Sequence, residues 1–124
     1  MYTTITTQDT LKALAIAYVG REDEVHRYQI NIDNYNIMMQ SLPTDAAPEK
    51  LAPYLDSDIK DLPAEFTDAD VQLLVDYNFR NDLVFRIRSE KAEQSKAKRV
   101  LDAVKSQIPA DQFDALIAQA VQSV

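Results

Sequence analysis

The chain has 124 residues, of which 46% are hydrophobic, with a single Gly, no Cys and a formal net charge of −7. The missing cysteines exclude disulfides and thiolate metal sites, the lone glycine excludes a Gly-rich phosphate loop, and the negative charge opposes attraction of the chain as a whole to DNA or an anionic membrane. No apolar run reaches the length that spans a bilayer, and the start Met1-Tyr2-Thr3-Thr4-Ile5-Thr6-Thr7 has neither the basic residues nor the apolar block of a signal peptide, so the composition predicts a soluble, cytoplasmic protein built as one domain.

Residues 1–7 are Thr-rich and β-branched and are expected to be extended or frayed, with Thr6 or Thr7 capping a helix whose first turn holds Asp9. From residue 8 to residue 42 the chain alternates steps of three and four: Leu11, Leu14, Tyr18, Arg21, Val25, Tyr28, Ile32, Tyr35, Met39 and Leu42. This spacing lines one seam of a helix, and sustained over four heptads it has the character of a coiled coil. Pro43 ends it. Gly20 interrupts the interior at a cost of about 1 kcal/mol relative to Ala, and the acids of Arg21-Glu22-Asp23-Glu24 would suit a new helix start. The seam keeps phase across Gly20, which favours one helix with a soft point over two helices bent there.

Pro43, Pro48, Pro53 and Pro63 punctuate residues 43–67. Two short helical turns are expected, near 48–54 and 56–61. Leu51, Tyr54, Leu55, Ile59, Leu62 and Phe66 make the segment apolar enough to be a packed cap over one end of a helix pair. Thr67 is a good N-cap, with Asp68 and Asp70 in the turn that follows, and no Pro or Gly then occurs before Pro109. Residues 68–108 thus read as a second long helix. Its first half is rich in apolar residues (Val71 to Ile87), its middle from Arg88 to Arg99 holds no large one, and Ala97, Leu101, Val104 and Ile108 resume a seam. After Pro109 an amphipathic helix over 110–123 presents Phe113, Leu116, Ile117, Ala120, Val121 and Val124.

The expected fold is therefore all-α: a long antiparallel helical hairpin, an acidic Pro-rich capping segment and a short C-terminal helix. If Leu42 lies beside Thr67 or Asp68, because the chain turns between them, residue i of the first helix faces roughly residue 110 − i of the second. That register places Val25 opposite Phe85, Tyr18 opposite Ala92 and Leu14 near Lys96 and Ala97.

Few residues suggest chemistry. The single His26, with Asp23 and Glu22 before it, forms half of a carboxylate–histidine metal motif and lacks the other half. Asp56-x-Asp58 opens like a calcium loop and then places Lys60, Asp61 and Thr67 where that loop needs an oxygen ligand, Gly and Glu. No nucleophile–base set is marked, so neither an enzyme, a cofactor nor a metal is expected.

Charge and aromatic pattern point instead to binding. Residues 44–76 carry nine acids against two bases, and residues 80–105 carry eight bases against four acids, so one chain can bind itself or another copy through opposite charge. Tyr18, Tyr28 and Tyr35 repeat along the first seam, with Arg21 among them. Tyr is frequent where a partner covers a surface, and a lone Arg inside a core would be costly. The expected function is a non-catalytic protein–protein interaction module (an assembly, adaptor or inhibitory protein). It would dock through Tyr18, Arg21, Tyr28, Tyr35 and the stripe Phe113, Leu116 and Ile117, and form a homodimer or larger homo-oligomer with no membrane contact. A second reading makes Asp56, Asp58, Asp61, Glu65, Asp68 and Asp70 an acidic mimic of a nucleic acid that blocks a DNA- or RNA-binding protein, in the manner of phage and mobile-element inhibitors. A third has the basic segment 86–99 gripping phosphates, although no aromatic residue lies within it to stack bases.

Overall fold

The computed structural model describes residues 7–122. Residues 1–6 of the expected frayed start 1–7, Thr6 among them, and the end of the C-terminal stripe (Val124) lie outside them, whereas Thr7 is already helical. The described residues form three α-helices and no strand: α1, Thr7–Met39; α2, Asp68–Ser106; and α3, Ala110–Gln122. Single 3-10 turns at Ala52–Tyr54 and Ile59–Asp61 fall inside the two stretches where short turns are expected. α1 and α2 pack together, as an all-α helical hairpin requires.

Helix α1 passes through Gly20 without interruption. Every position of its seam is buried or half-buried except Arg21, so the three–four spacing names the inward face correctly over the whole helix. Its end is closed by the turn from Leu42 N–H to the Met39 carbonyl at 3.1 Å, followed at once by Pro43. Helix α2 starts in a reciprocal cap. The Asp70 N–H donates to Thr67 Oγ1 at 3.1 Å, and the Thr67 N–H donates to Asp70 Oδ2 at 2.9 Å. This is the capping-box arrangement with Asp in place of Glu.

The chain gathers into two compact units, one of residues up to Ile30 together with those from Glu90 onward, the other Asn31–Ser89. In the first, Leu11 and Ala15 of α1 pack with Ile108 beyond α2 and with Leu116 and Ala120 of α3, flanked by Leu14, Val19, Phe113 and Ile117. In the second, the buried apolar residues are Ile32 of α1, Leu51 of the connecting segment, and Leu74, Tyr77, Leu83 and Ile87 of α2.

The helix register differs from 110 − i. In the first unit the Val25 carbonyl accepts a hydrogen bond from Gln94, not from the neighbourhood of Phe85, and Leu11 shares its cluster with Ile108. Tyr18 meets Phe113 and the field of Asp102 rather than Ala92. In the second unit Tyr35 meets Arg86. These pairs place residue i opposite about residue 120 − i, a displacement of about ten residues or roughly 15 Å at 1.5 Å per residue.

The cause lies in the connecting segment. Arg80 donates to the Pro43 carbonyl at 2.9 Å and the Asp45 carbonyl at 2.8 Å while lying over the Tyr77 ring, so the chain leaves α1 beside Arg80, not beside Thr67. The segment then runs back along the first turns of α2. The Tyr77 hydroxyl donates to the Ala46 carbonyl, the Asp56 N–H donates to Asn78 Oδ1, and Lys50 pairs with Asp70 at 2.6 Å. Instead of capping a helix end, it takes the place of α1 against the start of α2.

Candidate functional site

Because side chains three and four apart share a helix face, the seam of α2 can be traced through Leu83, Ile87, Glu90, Gln94, Ala97, Leu101, Val104 and Ile108, all buried or half-buried. Its two polar members explain the apparent gap between Arg88 and Arg99. Gln94, only 7% exposed, donates from Nε2 to the Val25 carbonyl at 3.2 Å and to Gln29 Oε1 at 3.0 Å. A polar side chain inside a seam costs stability and fixes register, because a shifted pairing leaves its amide unbonded. The sequence signal that finds Gln94 is its phase, three residues before Ala97 and seven after Ile87.

Around that layer the Tyr28 hydroxyl donates to Glu24 at 3.4 Å. Partial burial first, and then the carboxylates of Glu24, Glu93 and Glu90, hold Tyr28 above the ordinary tyrosine range. Arg21 is exposed and pairs with Glu24 at 2.8 Å, so its positive charge stays in solvent beside a carboxylate. It thus avoids the cost of a lone Arg inside a core by staying at the surface. His26 and Asp23 are exposed on α1, and among the described residues no group of three or more His, Cys, Asp or Glu is placed to hold a metal ion. No described helix is long and apolar enough to cross a membrane.

The C-terminal stripe lies inward. Leu116 is buried and Phe113 and Ile117 are half-buried in the first unit's core. The Phe113 ring meets Tyr18 edge-on at 5.0 Å between centroids, with Lys105 Nζ 5.1 Å above it. Burial, followed by the Glu22 charge and hydrogen bond and then Asp102, raises the Tyr18 phenol. Tyr35 is half-buried beside Arg86; its hydroxyl, and then Asp82, keep that guanidinium more firmly protonated than usual. Of the residues expected to dock a partner, Tyr18 and Leu116 are thus enclosed by their own chain. Tyr28, Tyr35, Phe113 and Ile117 are partly covered by it, and Arg21 is open.

The acidic residues divide differently. Asp70 is held below the ordinary carboxylate range by the Lys50 hydrogen bond and those of Thr67, and so serves the helix cap. Asp56, Asp58, Asp61, Glu65 and Asp68 are exposed, and among the described residues none of their carboxylates has an ion-pair partner. Asp56 adopts a left-handed backbone, φ 65°, with its N–H fixed by Asn78.

Aromatic residues that sequence pattern did not single out are the ones left in solvent. Around residues 71–87, α2 carries apolar side chains on every side. Leu83 is 1% exposed, yet Phe79 is 40% and Phe85 68% exposed, and Val75, one turn before Phe79, is also open. The signal was present as a run too apolar for a helix with a single covered stripe. The chain matches no family model, curated protein or solved structure.

Proposed function

We propose that the protein is a non-catalytic interaction module that associates with further copies of itself through outer helix surfaces. The observation that carries this reading is the first half of α2. A helix that is apolar all round is ordinarily covered all round, and here α1 and the connecting segment leave Val75, Phe79 and Phe85 open. Removing a Phe side chain from water is worth about 2 kcal/mol, so covering these residues supplies a driving force that the single chain does not use. Because the tyrosine seam is occupied by α2 itself, docking belongs to the outer faces.

The test is light scattering on the full chain and on the double variant Phe79→Ser/Phe85→Ser. The expected result is a mass above that of one chain for the parent and a single-chain mass for the variant, with unchanged helical circular dichroism. An equal mass for both proteins would overturn the assignment of these residues.

A further inference from the structure

The second charged surface of the chain lies in the first unit. Lys91, Lys98 and Arg99 are exposed on α2, and among the described residues none of them has an ion-pair partner. At 100° per residue the three fall within about 100° of arc, away from the seam positions Glu90, Gln94, Ala97 and Leu101. They therefore form one cationic strip centred about 120° round the helix from the packed seam, with the exposed Asp102 as the one acid in its arc. Lys96 lies outside this strip and is paired with Glu93 at 3.2 Å.

The second unit carries the complement. Asp56, Asp58, Asp61 and Glu65 are exposed and unpaired along the connecting segment, with Lys60 as the one base among them. That segment is fastened to its own α2 by Lys50–Asp70, by the Asp56–Asn78 hydrogen bond and by the two bonds from Arg80. Its carboxylates are thereby presented from a fixed backbone, and one chain carries both partners of a charge match.

We propose that the strip Lys91–Lys98–Arg99 of one copy docks on the acidic segment Asp56–Glu65 of a second copy. This inference rests on the self-association reading and adds the orientation of the partner. Each copy offers one of each surface, so a two-fold pair makes the contact twice and a head-to-tail arrangement makes it once with each neighbour. Complementary charge sets register and on-rate, and the contact is weakened by salt.

A charge-swap experiment on the full chain tests it, read by sedimentation velocity. One variant carries Lys91→Glu, Lys98→Glu and Arg99→Glu; the other carries Asp58→Lys, Asp61→Lys and Glu65→Lys. Each alone should associate more weakly than the parent at low salt, because like charges then face each other. An equimolar mixture should associate again, since each reversed surface finds its complement on the other variant. The parent's apparent dissociation constant should weaken by about tenfold or more between low salt and a few hundred millimolar salt. Circular dichroism on each variant shows whether it is folded, and a fold lost in one leaves the other, mixed with parent, to report: the folded variant should then associate less than the parent does with itself. If the mixture associates no more than either variant alone, while the parent associates and the Phe79→Ser/Phe85→Ser variant does not, the charge match is overturned and the apolar residues stand. If the parent itself is a single chain throughout, both readings fall.

Discussion

At the scale of single residues, two positions give direct tests of local physics. Gly20 is exposed within continuous α1, and a Cβ built there meets nothing within 4 Å. Gly20→Ala removes backbone freedom from the unfolded chain without a clash, and is expected to stabilise by about 0.5–1 kcal/mol. Thermal melting should register this as a midpoint about 3 °C higher. Asp70 tests the cap. Its carboxyl is held low by Lys50 and Thr67 in the folded state, so the folded protein binds that proton more weakly than the unfolded one. The resulting stability is complete above the unfolded carboxyl value, near pH 4, and is lost as pH falls through the lower folded value. Asp70→Asn should therefore melt lower than the parent at neutral pH, and the gap between them should close as the medium is acidified below about pH 4. A gap that stays constant across the acid range would show that the ionised carboxylate is not what the cap uses. Arg21 shows how far a residue can be read from sequence alone. Its seam phase was legible, but its long side chain reaches Glu24 and solvent, as amphipathic stems allow.

At the scale of elements, the helices were legible because period is a local property. The seam of α1, the Thr67 cap and the Pro109 break all follow from neighbours three or four residues away. The register between helices was not, because it depends on where the chain travels between them. A connection of residues 43–67 is too long for a helix hairpin turn, and its Leu51, Tyr54 and Phe66 mark it as packed structure: Leu51 is buried, and the Tyr54 and Phe66 rings meet edge-on at 5.2 Å. Treating it as a cap at one end placed Leu42 beside Thr67, whereas Arg80 holds Pro43 and Asp45. The phase of Glu90 and Gln94 continues the seam through a stretch with no large apolar residue, which names the inward face of α2 there but not its axial register. Gln94 is the residue on which register should depend most. Gln94→Ala removes its two hydrogen bonds and leaves a void in the seam, at an expected cost of about 1–3 kcal/mol. Urea unfolding followed by circular dichroism would measure this as a lower midpoint with unchanged slope. No change in midpoint would mean that the amide contributes nothing to pairing.

For the molecule as a whole, charge and apolar surface point to the same behaviour. The net charge of −7 conceals an acidic segment and a cationic strip that a summed figure cannot display. The candidate docking residues were legible in kind, aromatic and charged, but only partly in place. The tyrosines expected to face a partner face α2 or α3, while Phe79 and Phe85 remain outside. The reason is that α2 is apolar on more sides than one chain covers, and sequence pattern reports how apolar a helix is without reporting which side its neighbours take. The surface ion pairs Arg21–Glu24, Lys50–Asp70, Arg86–Asp82 and Lys96–Glu93, all between partly or fully exposed side chains, add little to stability. As proposed above, this helical protein is completed by further copies of itself. Sedimentation equilibrium of the full chain at low salt, from micromolar to near-millimolar concentration, tests it most directly. The expected result is a weight-average mass that climbs with concentration above the 14.1 kDa of one chain. A mass that stays at 14.1 kDa over the whole range would contradict it.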